Sequence, residues 1–157
     1  MKSLVVYYSR SGNTRFVAEK ISQKIGGDIE EVIDKKRRKG PLGFVIGGFD
    51  ATRGRKTDIA EMKKSPRDYD LIVVGTPMWN KRTTPAVRTY LEDYKFSEKR
   101  VALFCTNNGS KSERVFKTLK EIMHGCIFVG ELAISNAQKD REDTEKEISG
   151  WSKSLKV

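Results

Sequence analysis

Short apolar runs alternate with longer amphipathic stretches along this chain. Lys2 to Tyr8 is nearly continuous in apolar residues and predicts a strand buried on both faces. Thr14 to Ile25 sets Phe16, Val17, Ile21 and Ile25 on one helical stripe, and Gly26-Gly27 ends it as a C-cap. Asp28 to Ile33 predicts a second strand, with Ile29 and Ile33 on one face. Leu71 to Gly75 reads as a third, buried strand. Thr84 is placed to cap a helix with Pro85 at its first position, continuing from Ala86 to Tyr94. Val101 to Cys105 predicts a fourth strand, and Ser112 to Met123 a helix with Val115, Phe116, Leu119, Ile122 and Met123 inward. Ile127 to Ile134 is the fifth strand. A polar helix from Asp140 to Leu155 buries Ile148, Trp151 and Leu155.

Strands therefore alternate with helices, and short strands apolar on both faces imply an α/β fold, a doubly wound parallel sheet covered on each side. The rhythm breaks between Lys35 and Asp68. That stretch holds Gly40-Pro41-Leu42-Gly43-Phe44-Val45-Ile46-Gly47-Gly48-Phe49-Asp50-Ala51. A connection this long is usually functional, and its glycines and aromatics predict a packed lobe. The chain shows no repeats and no low-complexity linker, so residues 1–157 are expected to form one domain with an extended lobe at about 35–68.

In an open parallel sheet, ligands bind beyond the carboxyl ends of the strands, where strand order reverses. The three loops expected there are rich in hydrogen-bonding groups. After the first strand comes Ser9-Arg10-Ser11-Gly12-Asn13-Thr14, directly before a helix. Free backbone N–H groups and the positive end of the helix dipole make such a turn an anion site, although an ordinary N-cap also favours these residue types. The turn has no Walker lysine and no G-x-G-x-x-G, so it suits one terminal phosphate. After the third strand comes Thr76-Pro77-Met78-Trp79-Asn80-Lys81-Arg82-Thr83. Trp79 on a polar loop presents a large apolar face that something should cover; the alternative is an indole folded back on the lobe. After the fourth strand, Thr106-Asn107-Asn108-Gly109-Ser110 offers amides to a heterocycle's edge. Together these describe a mononucleotide-like ligand with a flat ring.

Composition narrows the classes. Hydrophobic content is 37% and charged content 33%, as in a soluble globular chain. No apolar run approaches the roughly 20 residues that span a bilayer. Met1-Lys2-Ser3 leads directly into a core strand without a small-residue cleavage site, so cytoplasmic localisation is expected. Cys105 and Cys126 are too few for a disulfide framework and read as small buried hydrophobes. No metal site is expected, since His124 is the only histidine. A Cys-x5-Arg phosphatase loop from Cys105 fails, because Lys111 holds the arginine position and Arg114 comes later. The net charge is +10. Its densest clusters, Lys35-Lys36-Arg37-Arg38-Lys39 and Arg53-Gly54-Arg55-Lys56, read as solvated faces. No aromatics interleave with them as nucleic-acid binding would want.

Ser9-Arg10-Ser11-Gly12-Asn13-Thr14 resembles the phosphate loop of flavodoxins, Thr/Ser-x-Thr/Ser-Gly-Asn-Thr. Gly75-Thr76-Pro77-Met78-Trp79, followed by Thr84-Pro85-Ala86-Val87, resembles the loop that lines the isoalloxazine ring. The resemblance covers the chain apart from the lobe and is to the short-chain, flavodoxin-like type. It implies a five-stranded sheet of order 2-1-3-4-5 and non-covalent FMN. By this resemblance Ser9, Ser11, Gly12, Asn13 and Thr14 would hold the phosphate, with Arg10 adding charge or pointing away. Trp79 would stack on the flavin. Thr76, Pro77, Met78, Asn80, Lys81, Thr106, Asn107, Asn108 and Gly109 would line the ring. No catalytic residue is implied, and the histidine is expected to be structural or solvent-facing.

The chain departs from many flavodoxins in being basic, with Lys81 and Arg82 beside the expected ring. This predicts a less negative flavin potential and an acidic redox partner. Trp79-Asn80 stands where a glycine is often found. Three functions stay open at this point: an FMN electron carrier; an FMN-dependent NAD(P)H:quinone or flavin reductase, which the lobe would serve as a substrate pocket or dimer contact; and a module binding another phosphorylated ligand. A receiver domain is excluded, because Ser9 to Asn13 contains no carboxylate. The chain is expected as a monomer or homodimer.

Overall fold

The strands of the computed structural model, which describes residues 1–155, form one five-stranded parallel sheet. They are β1 (Ser3–Tyr7), β2 (Asp28–Glu31), β3 (Leu71–Pro77), β4 (Arg100–Asn107) and β5 (Ile127–Ser135), in the spatial order β2-β1-β3-β4-β5. Among the described residues four α-helices lie between strands, α1 (Asn13–Ile25), α2 (Gly40–Thr52), α3 (Pro85–Asp93) and α4 (Glu113–Ile122), and α5 (Arg141–Ser154) follows β5. This is the doubly wound order expected from the sequence.

The two-residue side-chain period of the strands splits the core into two layers. Leu4, Val6, Val74 and Leu103 face α3 and α4, where Val87, Tyr90, Val115 and Leu119 meet them. Val5, Val73 and Phe104 face α1 and α5, against Val17, Ile21, Ile148 and Leu155. Each of these residues is at most 1% exposed, so each aliphatic one stabilises the fold by roughly 1.5–3 kcal/mol. The helix boundaries follow local chemistry. Gly26, at φ 68°, closes α1, and the Thr84 hydroxyl accepts from the Val87 N–H to start α3 behind Pro85.

Four expectations need correction. β2 ends at Glu31, so Ile33 does not share a core face with Ile29; Ile33 is 49% exposed and Val32 is buried instead. The chain leaves the sheet there. Val32 N–H still donates to Tyr7 O at 2.7 Å, but the Asp34 backbone then pairs antiparallel with Ile59. Trp151 is only partly buried.

The third correction concerns the lobe. Residues 40–52 are helical, yet the large apolar side chains do not pack inward. Leu42, Phe44, Val45 and Phe49 are exposed, whereas Gly43, Gly47, Asp50 and Ala51 are buried. Small residues spaced by four form the inner face of α2, so the helix backbone comes close to its neighbours and the bulky residues are turned out. The adjoining basic run is not simply a solvated face either. Arg38 is buried, with Nε 2.8 Å from Asp34 Oδ2 and Nη1 2.8 Å from Asp50 Oδ2. Lys36 adds a contact to Asp50 at 3.1 Å.

Candidate functional site

Strand order reverses between β1 and β3, so the loops after β1, β3 and β4 gather at one edge of the sheet. In the first loop Gly12 is the N-cap of α1 at φ 94°, a left-handed conformation that favours glycine. The Gly12 N–H donates to Ser9 Oγ at 3.1 Å, which folds the loop on itself. Among the described residues no side chain caps α1, so Ser11 and Asn13 are left beside first-turn N–H groups that lack a side-chain acceptor. Asn13 Nδ2 donates to Ser11 Oγ at 3.4 Å. The buried hydroxyls of Thr14 and Thr106, 2.8 Å apart, tie this loop to the end of β4.

Arg10 points sideways. Its Nε donates to Arg38 O at 3.0 Å and its Nη2 to Gly40 O at 3.1 Å, while Cζ lies 5.2 Å from the Phe44 ring centroid. It fastens the start of α2 to the loop.

After β3, the buried Thr76 hydroxyl donates to Pro77 O at 2.8 Å and accepts from Thr83 Oγ1 at 3.2 Å and Thr84 N at 3.3 Å. That uses its full capacity. Met78 N–H donates to Thr106 O at 3.0 Å. Trp79 and Arg82 exchange backbone hydrogen bonds at 3.0 and 2.9 Å, closing a tight turn. Both central residues have positive φ, 52° at Asn80 and 61° at Lys81, as in a type I′ turn. Asn80 Nδ2 donates to Thr52 Oγ1 at 2.9 Å, joining the turn to the end of α2.

The Trp79 ring meets Tyr8 edge to face with centroids 5.6 Å apart, and Arg38 Cζ lies 5.9 Å from it. It also lies against Gly47 of α2. The indole is thus half-buried on the lobe while still lining the cleft described below. Burial, with the Asp34 carboxylate, pushes the Tyr8 hydroxyl up to about 12, so it stays protonated beside Trp79.

After β4, the Asn107 amide is spent on its own loop. Oδ1 accepts from Gly109 N at 2.7 Å and from Ser135 Oγ at 2.9 Å, and Nδ2 donates to Ser112 Oγ at 3.2 Å. Asn108 and Ser110 remain exposed.

These loops enclose a cleft of about 350 Å³, within the range of small-molecule sites. Twelve of the sixteen residues named from the sequence line it: Arg10, Ser11, Asn13, Thr14, Pro77, Met78, Trp79, Asn80, Lys81, Thr106, Asn107 and Asn108. Ser9, Gly12, Thr76 and Gly109 do not; they shape the loops. Arg82 is also outside the lining. Phe44 and Ser110 complete the wall; Ser110 belongs to the β4 loop expected at the ligand but was not among the sixteen, and Phe44 was not expected there. The exposed aromatics of the glycine-rich segment were the available signal for Phe44. Among the described residues, Arg10 and Lys81 are the charged groups of the lining, and none of it is a carboxylate. A larger groove of about 840 Å³ runs between α4 and β5. Half of its lining residues are charged, with both signs present, and it lacks an aromatic face from the β3 loop.

The lobe is held to this edge by its ion pairs. Burial alone would raise the Asp50 carboxyl, but hydrogen bonds from Arg38 and Lys36 hold it below the usual carboxylate range. Among the described residues no helix is long and apolar enough to cross a membrane.

A family model described as Flavodoxin matches residues 50–152. No curated protein matches the chain. Among solved structures, the chain resembles a candidate flavoprotein of Bacteroides uniformis at 21% identity and a TM-score of 0.82, over 97% of each chain. It resembles one of Bacteroides eggerthii at 22% identity and TM-score 0.80, over 99% of this chain and 98% of that one. A Lactobacillus acidophilus flavoprotein solved in complex with FMN is 26% identical, with a TM-score of 0.73, over 96% of this chain and 98% of the other.

Proposed function

The chain belongs to the flavodoxin family, and from that premise we propose that it holds FMN non-covalently and carries electrons between redox partners. One observation carries the reading: the side-chain-uncapped N-terminus of α1 and the Trp79 turn open on the same carboxylate-free cleft. The neighbour from L. acidophilus, solved with FMN, supports the choice of cofactor.

The residues fit the group. A phosphate would take the first-turn N–H groups of α1 with the Ser11 hydroxyl and the Asn13 amide, where the helix dipole favours an anion. Thr14 is paired with Thr106 and serves to set the loop. Met78, Trp79 and Phe44 give the flat ring an apolar wall, and Asn108 and Ser110 give its edge polar partners. Bound there, FMN would supply one- and two-electron transfer.

Lys81 sits at the lining and forms no ion pair among the described residues, so its charge acts on the ring unneutralised. With a net charge of +10, the surface would steer an acidic partner protein toward the cleft. The alternative, an FMN-dependent NAD(P)H:quinone or flavin reductase, draws on α2, which adds an apolar wall that a protein-to-protein carrier does not need.

Titration of apoprotein with FMN, read by flavin fluorescence quenching, tests the cofactor. Absence of quenching would remove the reading. Steady-state NAD(P)H oxidation with a quinone separates carrier from reductase, since many turnovers per protein would favour the reductase. Electron-transfer rates with an acidic partner should fall as salt rises.

A further inference from the structure

A second hollow of about 440 Å³ adjoins the cofactor cleft. Phe44, Val45 and Phe49 of α2 face Met78 and Trp79 across it. The two hollows share Phe44, Met78, Trp79 and Asn80 as walls. Gly48 opens the floor, because a Cβ built at position 48 would meet nothing within 4 Å.

The chemistry of the lining is narrow. Aromatic rings and a thioether dominate it. The Thr52 hydroxyl donates to Gly48 O at 2.8 Å and accepts from Asn80 Nδ2 at 2.9 Å, so its donor is already used. The Arg53 guanidinium, 4.2 Å from the Phe49 ring centroid, is the cation of the lining. The hollow is concave and of ligand size, whereas a docked protein would need a far larger surface.

We propose that the hollow binds a flat, uncharged, fused-ring aromatic molecule whose acceptor oxygen meets Arg53. Apolar rings gain by leaving water and by offset or edge contacts with Phe44, Phe49 and Trp79. Its position beside a redox cofactor rests on reading the neighbouring cleft as the FMN site; its binding to the hollow does not.

The probe is 2-naphthol, a neutral bicyclic with one oxygen, titrated into 15N-labelled protein loaded with oxidised FMN. Saturable shifts are expected at the amides of Gly48, Thr52, Arg53 and Asn80 and at the Trp79 indole N–H. Gly48→Leu fills the open floor and should weaken the probe about tenfold, while FMN affinity stays within about twofold. Gly48→Ala keeps most of the space and controls for folding. Shifts that do not saturate, or Gly48→Leu binding as tightly as the parent, would overturn the proposal. Shifts at the α2 amides that grow with protein concentration alone, with dimers in sedimentation equilibrium, would assign this face to a second copy and overturn it too. Protein that binds 2-naphthol but not FMN would spare this inference and remove the FMN reading instead.

Discussion

A Cβ added to Gly47 would stand 2.8 Å from Cζ3 of Trp79 and 3.1 Å from its Cε3. The α2 backbone therefore sets the position of the indole. Gly47→Ala gains roughly 0.5–1 kcal/mol of helix propensity but loses about 1–3 kcal/mol to overpacking, so it should destabilise the fold slightly. It should weaken FMN more clearly, because the ring moves. Gly48→Ala has open space and should gain the propensity alone. Thermal melts and FMN titrations of the two variants should diverge; equal behaviour would disprove the contact.

Ser11→Asp separates an anion site from an ordinary helix start. A carboxylate beside the α1 N-terminus stabilises the apoprotein by about 0.3–1 kcal/mol. The same charge repels a phosphate by roughly 1–4 kcal/mol at about 4 Å. The melting temperature without FMN should rise while FMN affinity falls. A rise in both would mean that the loop merely caps.

The Asp50 carboxyl is held below the ordinary carboxylate range by Arg38 and Lys36. Its contribution is complete above the unfolded pKa of about 4 and is lost as pH falls through the lower folded value. Lobe attachment, followed by Trp79 fluorescence, should thus hold from neutral pH to about pH 4 and fail below it. Asp50→Asn leaves Arg38 with only Asp34 and should loosen the lobe at neutral pH by up to roughly 3 kcal/mol. An acid transition of unchanged size in that variant would exclude Asp50 as its source.

Lys81 combines a charge at the cleft with φ 61°, which costs a non-glycine residue about 1–2 kcal/mol. Lys81→Gly should raise the melting temperature by relieving the turn. Removing a charge worth about 1 kcal/mol should make the one-electron flavin potential more negative by roughly 40 mV. A spectroscopic redox titration reads the second effect. A potential that does not move would assign the field to other cations.

Much of this was legible because it is local. Ser9 to Thr14 declares a turn before a helix, and Thr84-Pro85 declares a helix start, each through the chemistry of adjacent residues. The cleft followed from strand alternation, which brings the three loops to one edge. Thr76 and Asn107 were named for the cleft, yet their polar groups serve the loops; which atoms are spent depends on partners such as Thr83 and Ser135. The lobe was the hardest part. Hydrophobic periodicity looks for large residues inside, but α2 turns Gly43, Gly47 and Ala51 inward. The burial of Arg38 depends on Asp50, which lies in a helix not evident from the pattern.

Because α2 already shows Leu42, Phe44, Val45 and Phe49 to water, lifting it away would newly uncover Ala51 and the covered side of the Trp79 indole rather than a large apolar core. Such an opening has a small denaturant dependence and a small heat-capacity change, unlike unfolding of the sheet. Native-state hydrogen exchange should find the α2 amides opening at nearly constant free energy across low urea, and more readily as salt screens the ion pairs. The helix that walls the cleft would then move as a separate cooperative unit on a sheet that stays folded.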